Sequence, residues 1–258
     1  MEFENKVVVI TGGGTGIGRE TARAFLERGA NIVLNGRREM KLQEAITELD
    51  ATGRHVAYLA GNIGKPETAR QLIRTAVQRF GGVDILVNNA GIFKPMPFLE
   101  HTEEDYNAYV SIILGGTFHA SQAAIPEMQK RGGGAIVNTG SMWASQAIGA
   151  TPSSAYSAAK AGIHALTRNL AIEFAADHIR VDTVAPAVVL TPVYNTFLNE
   201  DEVKDVLTGL NDFHPLGRHG QPRYVTAAIL FLAGSQADWI TGVVLPVDGG
   251  VAAGQHAH

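Results

Sequence analysis

Short runs of β-branched and other apolar residues alternate along this chain with longer segments in which apolar residues recur every three or four positions. An unbroken short apolar run is typical of a strand that is buried on both faces. The predicted strands lie at residues 7–10, 31–34, 56–60, 85–87, 135–139, 179–184 and 243–247. Between them, the helical period of the apolar residues predicts helices. These helices lie at residues 16–28, 42–49, 66–80, 103–130, 155–176 and 222–234.

Strands that alternate with helices in this way predict an α/β fold. The expected architecture is a Rossmann-type doubly wound parallel sheet of about seven strands with helices on both faces. The chain shows no internal repeat, low-complexity tract or linker, so residues 1–258 are predicted to form a single domain. Residues 192–214 are the least periodic part of the chain, and we expect them to form a short lid.

Composition narrows the possible functions further. The 21 Lys and Arg residues and the 25 Asp and Glu residues give a net charge of −4, without the basic clusters that nucleic-acid binding needs. Cysteine is absent, which excludes disulfides and thiolate metal sites. The nine histidines form no ligand cluster, and the terminal pair His256 and His258 is not expected to bind metal. The polar beginning and the short apolar runs predict neither a signal peptide nor a membrane span, so we expect a cytoplasmic protein.

A glycine-rich turn follows the first predicted strand and opens the first predicted helix. It contains Gly12, Gly16 and Gly18, which suit a tight turn, a close approach of backbone to phosphate, and close packing of the helix, respectively. The N–H groups and the dipole of a helix N-terminus favour an anion. The turn therefore predicts a dinucleotide site, whereas a glycine turn on its own is often no more than a tight turn.

The end of the second predicted strand bears on the choice of dinucleotide. NAD-selective sites usually place a carboxylate here, about 20 residues after the glycines, to bind the ribose 2′-hydroxyl. In this chain Gly36 occupies that place and Arg37 and Arg38 follow. A guanidinium binds a 2′-phosphate well, so NADP is favoured over NAD. Alternatively, both arginines are solvated surface charges and the site accepts either cofactor.

A tyrosine and a lysine open the helix that follows the fifth predicted strand. Tyr156 and Lys160 are four residues apart and therefore share a helix face, where the lysine charge would lower the tyrosine pKa. Ser141 follows the fifth strand, and its hydroxyl could bind a carbonyl oxygen. Such a pair alone occurs often by chance. Its position at the same sheet edge as the glycine turn favours acid–base chemistry during hydride transfer.

At these residues the chain resembles the short-chain dehydrogenase/reductase family in its compact single-domain form, from end to end. The TGxxxGxG motif of the family appears at residues 11–18, NNAG at 88–91 and YxxxK at 156–160. The resemblance implies an NAD(P)-dependent oxidoreductase that interconverts a ketone and a secondary alcohol. It also implies that Tyr156 is the general acid/base, that Lys160 holds the nicotinamide ribose and lowers the tyrosine pKa, and that Ser141 orients the carbonyl. Family members are commonly homotetramers that associate through the helices at 103–130 and 155–176.

The resemblance carries a set of cofactor-binding residues onto this chain. Thr191 would contact the nicotinamide carboxamide, Asn62 lies near the adenine, and Asn88 and Ala90 would flank the cofactor. The whole predicted set is Gly12, Thr15, Gly16, Ile17, Gly18, Arg37, Arg38, Asn62, Asn89, Ala90, Gly91, Tyr156, Lys160, Pro186, Val189 and Thr191.

Several positions depart from the family pattern. Ile113 stands where the family usually has an asparagine that binds a relay water, and Ser111 is poorly placed to replace it. The usual Pro-Gly is Pro186-Ala187, and the usual acidic residue near the adenine is Asn62. Ser141 lies fifteen residues before Tyr156, a longer gap than usual, which leaves Ser145 as a second candidate for the serine.

Apolar side chains near the proposed site predict a pocket for a small to medium ketone or secondary alcohol. They are Phe93, Met96, Met142, Trp143, Val193, Tyr194, Phe197 and Leu198. A regulatory or scaffold protein that binds NAD(P) without turnover is the alternative, supported by Ile113. A nucleotide-sugar epimerase or dehydratase would use the same tyrosine and lysine, but the short C-terminal part leaves little room for its substrate domain.

Overall fold

The protein is described by a computed structural model that covers residues 1–149 and 151–254. Its seven strands are β1 Val7–Thr11, β2 Asn31–Gly36, β3 Val56–Ala60, β4 Ile85–Asn88, β5 Gly134–Thr139, β6 Ile179–Pro186 and β7 Val244–Val247. They form one sheet in the order β3-β2-β1-β4-β5-β6-β7. Every neighbouring pair is parallel. The predicted fold class, a doubly wound parallel α/β sheet, is therefore confirmed.

Helices cover both faces of the sheet. They are α1 Gly16–Leu26, α2 Glu39–Leu49, α3 Pro66–Phe80, α4 Glu103–Tyr109, α5 Gly116–Lys130, α6 Ser154–Glu173, α7 Glu200–Gly209 and α8 Pro222–Ala233. Alternate residues of the strands point to opposite faces, as in β1, where Val8 and Ile10 join one core cluster and Val7 and Val9 join another. Helices α1, α2 and α8 contribute to the first cluster, and α3, α5 and α6 to the second.

The strand order reverses between β1 and β4, which are neighbours in the sheet. Ligands of doubly wound folds bind in the crevice outside the carboxyl ends of the strands at such a point. Strands β1, β4, β5 and β6 end at Thr11, Asn88, Thr139 and Pro186. The segments that follow these four residues therefore meet at one edge of the sheet.

The long helix predicted at residues 103–130 is interrupted by one wide turn. Helix α4 ends at Tyr109, a π-helical turn occupies Val110–Gly115, and α5 continues from Gly116. Helix α4 begins with a capping box, in which Thr102 and Asp105 exchange hydrogen bonds between side chain and backbone.

The segment at residues 192–214, expected to be irregular, contains helix α7. Asn199 caps this helix by accepting hydrogen bonds from the backbone of Asp201 and Glu202, and the Glu202 carboxylate accepts one in return. The sequence signal is weak because only Val203 and Leu207 of this helix are buried. Among the described residues, none of the helices combines the length and apolar character that crossing a bilayer requires.

Candidate active site

A cavity of about 720 Å³ opens along the carboxyl edge of the sheet, within the size range of small-molecule sites. All predicted site residues line it except Gly18, Asn88 and Ser141. The lining members of the predicted set are Gly12, Thr15, Gly16, Ile17, Arg37, Arg38, Asn62, Asn89, Ala90, Gly91, Tyr156, Lys160, Pro186, Val189 and Thr191. The glycine turn and the tyrosine–lysine pair thus face one continuous space.

The glycine turn leaves no room for side chains. Gly12 and Gly16 have φ values of +67° and +56°, which L-residues with side chains rarely adopt. A Cβ on Gly12 would lie 2.9 Å from the Cα of Ala90, and a Cβ on Gly18 would lie 2.3 Å from the carbonyl oxygen of Gly12. Gly18 therefore allows the helix to pack against the turn, although it does not line the cavity.

The first turn of helix α1 is suited to hold a pyrophosphate. Thr15 occupies the N-cap position, but no side chain caps this N-terminus. Gly16 and Ile17, the first two residues of α1, line the cavity. Uncapped N–H groups and the positive end of the helix dipole together favour a phosphate group at this place.

Hydrogen bonds fix the turn to the end of β4. The Thr11 hydroxyl accepts hydrogen bonds from the backbone N–H groups of Asn89 and Ala90, both at 3.0 Å. The Asn89 side-chain amide donates to the carbonyl oxygens of Thr11 and Gly12 at 3.2 and 3.3 Å. The side chain of Asn89 is thus used to hold the glycine turn.

The far end of the cavity is basic. Arg37 and Arg38 are both exposed, and neither forms an ion pair with another described residue. The Asn62 carboxamide oxygen accepts a hydrogen bond from the Gly64 N–H at 3.0 Å, which orders the turn after β3. Asn35 donates to the carbonyl oxygens of Leu59 and Gly61 and so joins the ends of β2 and β3.

Lys160 lies deep in the opposite wall of the cavity. Its side chain is buried, and Nζ donates a 2.5 Å hydrogen bond to the carbonyl oxygen of Thr139 at the end of β5. Nζ lies 5.7 Å from the centroid of the Tyr156 ring. Burial lowers the pKa of Lys160 from 10.5 to about 7. The charged ammonium is therefore unfavourable in the buried site, and a ligand whose acceptor atoms bind it would stabilise the charged form.

Burial also dominates the acidity of Tyr156. It raises the pKa of the phenol to about 12, against a smaller lowering by a hydrogen bond with Ser141. Lys160 does not lower this pKa in the protein without cofactor. The pKa of the lysine, about 7, lies well below that of the phenol, so Lys160 has already lost its charge in the pH range where Tyr156 ionises.

Ser141 is held at the end of β5 by its own backbone. It is buried, and its Oγ accepts a hydrogen bond from the Trp143 N–H at 3.2 Å. The same hydroxyl is hydrogen-bonded to Tyr156. Ser145 is exposed and does not line the cavity. Between the two serines, the structure therefore brings only Ser141 to the tyrosine.

Comparison with known proteins agrees with this geometry. The family model described as enoyl-(acyl carrier protein) reductase matches residues 12–252. The chain belongs to the short-chain dehydrogenase/reductase family. Members of this family are oxidoreductases that use NAD or NADP, so the prediction of an NAD(P)-dependent enzyme is confirmed at that level.

Three relatives illustrate the match. The chain is 36% identical to a 3alpha-hydroxysteroid dehydrogenase of Mediterraneibacter gnavus, over 96% of this chain and 98% of that protein. It is 34% identical to a cyclohexanol dehydrogenase of an Acinetobacter species, over 96% of this chain and 95% of that protein. A solved short-chain type dehydrogenase/reductase from Mycobacterium marinum has a TM-score of 0.91 and 30% identity, with 98% of both chains covered.

The position of the family asparagine lies in the π-helical turn. Ile113 is fully buried there and packs in a cluster with Tyr109, Ala159 and Ile163. Its carbonyl oxygen accepts a hydrogen bond from the Thr117 hydroxyl at 2.8 Å. An apolar side chain thus fills this place in the short-chain dehydrogenase/reductase fold.

Asn88, expected from the resemblance to flank the cofactor, does not reach the cavity. Asn88 is buried beneath the cavity and does not line it. Its amide donates to the Ser121 hydroxyl at 3.1 Å and to the Asn138 carboxamide oxygen at 2.9 Å. Because Asn88 is the last residue of β4, its side chain follows the alternation of the strand and points to the helices on one face.

Several cavity residues were not found from the sequence. Tyr109 and Ile112 come from the helical run before Ile113, and Lys94 and Asp105 lie at the rim. Their helical spacing identifies a buried face but does not indicate a ligand. Of the apolar residues predicted for the pocket, Phe93, Met96, Trp143, Val193 and Tyr194 line the cavity, whereas Met142, Phe197 and Leu198 do not.

No group of three or more His, Asp or Glu side chains among residues 1–149 and 151–254 is arranged to hold a metal ion. His256 and His258 lie outside the described residues.

Proposed function

We propose that this protein is an NADP(H)-preferring oxidoreductase that interconverts a ketone and a secondary alcohol. The observation that carries the proposal is the meeting of Ser141, Tyr156 and Lys160 beside a cavity that extends to the glycine turn. Relatives whose names describe hydroxysteroid and cyclohexanol dehydrogenases support a secondary alcohol as substrate.

Each member of the trio has a distinct task. When bound, the dinucleotide supplies the hydride for reduction or accepts it in oxidation. Tyr156 donates a proton to the oxygen that receives negative charge, and Ser141 donates a hydrogen bond that orients this oxygen. Lys160 would hold the nicotinamide ribose through the ammonium that now binds Thr139.

The two directions of the reaction need different protonation states of Tyr156, and therefore different pKa values. A pKa of about 12 keeps the phenol protonated at neutral pH, which is the form that reduction needs. Oxidation needs the phenolate and therefore a lower pKa. A fully charged Lys160 would provide this lowering, so we assign that role to the lysine in the cofactor-bound enzyme.

The preference for NADP rests on Arg37 and Arg38. Both residues line the cavity and directly follow β2. The residue after β2 is an arginine rather than a carboxylate, so no negative charge there repels a 2′-phosphate. NAD remains the alternative cofactor, since solvated arginines would leave the site without a strong preference.

The test is oxidation of NADPH and NADH by the purified protein over a panel of ketones, with Tyr156→Phe measured alongside. We expect turnover with NADPH that the substitution reduces by at least a hundred-fold, because general acid catalysis contributes about 10²–10⁴ to the rate. NADPH should still bind, although the loss of a predicted contact with the Tyr156 hydroxyl can weaken its affinity. Turnover that survives in Tyr156→Phe would overturn the assignment of this tyrosine.

Ile113 favours a second candidate, an NAD(P)-binding regulatory or scaffold protein with impaired catalysis. A buried isoleucine cannot hydrogen-bond a relay water through its side chain. Tight NADPH binding together with no turnover across the ketone panel would favour this candidate over the oxidoreductase.

We also propose that the active form is a homotetramer. Apolar side chains are exposed on the helices expected at the interface, including Phe118 on α5 and Ile172 on α6. Light scattering on the purified protein tests the subunit number. A single catalytic domain with a lid at about 192–214 and a cytoplasmic location, both predicted from the sequence, complete the proposal.

A further inference from the structure

We propose that the carbonyl substrate is a compound in which a flat ring is bonded directly to the carbonyl carbon, and that Phe93 is the residue that selects it. This inference rests on the proposed function, because it concerns the part of the same cavity beside Tyr156. It names the substrate class as aryl ketones and the corresponding secondary alcohols.

Four rings that come from separate segments line the cavity around Tyr156. Phe93 follows β4, Tyr109 ends α4, Trp143 follows β5, and Tyr194 lies in the segment after β6. Aromatic walls make favourable offset and edge-to-face contacts with a ring, in addition to the burial of its area. A flexible acyl chain gains only the burial.

Phe93 is the centre of this group of rings. Its ring centroid lies 4.9 Å from that of Tyr156, at an interplanar angle of 71°. It lies 5.9 Å from Trp143 and 6.2 Å from Phe197, in tilted and edge-to-face arrangements. A substrate whose carbonyl oxygen reaches Tyr156 would therefore lie close to Phe93.

The backbone that carries Phe93 is fixed from two sides. The Tyr109 hydroxyl donates to the carbonyl oxygen of Lys94 at 3.0 Å and accepts from the N–H of the same residue at 3.1 Å. The Met96 N–H donates to the carbonyl oxygen of Pro152 at 2.8 Å. Phe93 therefore stands on a backbone with few alternative positions, and Tyr109 is its positioning residue.

The orientation of Trp143 is also fixed. Its indole N–H donates to the Thr151 hydroxyl at 3.1 Å, and the residue is buried. Preformed walls of this kind cost a rigid, planar ligand little ordering on binding. They favour a flat substrate over a flexible chain of the same carbon number, which would have to be ordered.

Charge around this part of the cavity is sparse. Among the described residues near the rings, Lys94 and Asp105 are the charged side chains that line the cavity, apart from Lys160. Lys94 is exposed, and the Asp105 carboxylate accepts hydrogen bonds from the backbone and hydroxyl of Thr102. A neutral ketone fits this wall better than a phosphorylated or carrier-bound substrate.

The experiment compares three methyl ketones that each have eight carbon atoms: acetophenone, cyclohexyl methyl ketone and 2-octanone. Their kcat/KM values with NADPH are measured for the native protein and for Phe93→Leu. We expect acetophenone to be the best of the three. The substitution should lower its kcat/KM by about two- to twelve-fold, the range of an aromatic pair contact, and should change 2-octanone by less than two-fold.

One variant is a control, and a second tests the positioning role of Tyr109. Phe98→Leu makes the same change in the same loop, but Phe98 is 73% exposed and does not line the cavity, so all three ketones should keep their values. Tyr109→Phe keeps the ring and removes the hydroxyl that holds Lys94. It should raise KM for acetophenone with little change in kcat, whereas a general loss of folding would also weaken NADPH binding.

The outcomes separate the two proposals. Turnover of 2-octanone equal to or better than that of acetophenone, or equal losses for both in Phe93→Leu, would overturn the inference and leave the oxidoreductase standing. A much better reaction with acetoacetyl-CoA would do the same in favour of carrier-bound substrates. No turnover of any of these compounds, with NADPH still bound, would overturn the proposed function and this inference with it.

Discussion

Lys160 is a basic side chain that is buried in the folded protein. Replacing it with methionine should raise the free energy of unfolding of the cofactor-free protein, and it should abolish turnover. Burial lowers its pKa from 10.5 to about 7. Since one pKa unit corresponds to about 1.4 kcal/mol, the charged lysine costs about 5 kcal/mol of folding free energy below pH 7. Methionine fills a similar volume without a charge, so Lys160→Met removes this cost.

The sign of the pH dependence follows from the two protonation states. The folded-state pKa lies below the unfolded-state value, so between about pH 7 and 10.5 the unfolded chain binds the extra proton. The free energy of unfolding of the native protein therefore rises with pH across this window. The penalty is complete below pH 7 and absent above pH 10.5.

Part of the gain is lost because the Thr139 carbonyl oxygen loses its donor, at about 1–3 kcal/mol. Lys160→Met should therefore be about 2–4 kcal/mol more stable than the native protein at pH 6.5. The difference should fall by about 1.4 kcal/mol per pH unit between pH 7 and 9.5, where it should be close to zero.

The assay is urea unfolding of both proteins without cofactor at pH 6.5, 7.5, 8.5 and 9.5. Lys204→Met is the matched control, because Lys204 is exposed on α7. A stability difference that is the same at all four pH values would refute the reasoning. So would a Lys160→Met protein that is less stable than the native one at pH 6.5.

Three further substitutions test other parts of the site. Arg37→Asp should weaken NADPH binding by about ten-fold or more, since charged hydrogen bonds contribute about 1.5–3 kcal/mol, and should leave NADH within about three-fold; equal effects on both would contradict the NADP assignment. Ile113→Asn should lower the free energy of unfolding by about 1–3 kcal/mol, because an amide replaces a fully buried apolar side chain. It should also raise kcat and reduce the solvent isotope effect, and an unchanged kcat would show that proton exchange does not depend on this position. Gly18→Ala places a Cβ 2.3 Å from the Gly12 carbonyl oxygen and should lower both the urea midpoint and NADPH affinity. Gly149→Ala, where a Cβ meets nothing within 4 Å, is its control, and equal behaviour of the two variants would contradict the packing argument.

The fold could be predicted well because the central strands of its sheet are buried on both faces. Six of the strands contain a continuous apolar run, whereas that of β6 is interrupted by Arg180 and Asp182, and each predicted segment overlaps its strand in the structure. Helix α7 was missed because its apolar signal is limited to Val203 and Leu207. The π-helical turn was missed as well, since an apolar stretch such as Val110–Gly115 has the same composition in either type of helix.

The candidate site could be predicted where it depends on short local motifs and not where it depends on contacts between distant segments. The motifs identify the glycine turn, Tyr156 and Lys160. They do not predict the two hydrogen bonds between the Tyr109 hydroxyl and the backbone of Lys94, which connect two segments of the chain. They also do not indicate how strongly burial raises the pKa of Tyr156 in the protein without cofactor, because the degree of burial is a property of the assembled protein.

The π-helical turn at Val110–Gly115 determines which side chains of α4 and of α5 lie on the same side of this long helical segment. Before it, Tyr109 faces the cavity; after it, Thr117, Ala120 and Ser121 are buried along α5. Each residue advances an α-helix by about 100°, so one residue deleted from the turn would rotate Tyr109 by roughly that angle relative to α5. The hydrogen bonds between Tyr109 and Lys94, which position Phe93, would then be lost, whereas the packing of the sheet would be unchanged. A change of a single residue in length at this turn is therefore a route by which this scaffold could acquire a different substrate without altering its core.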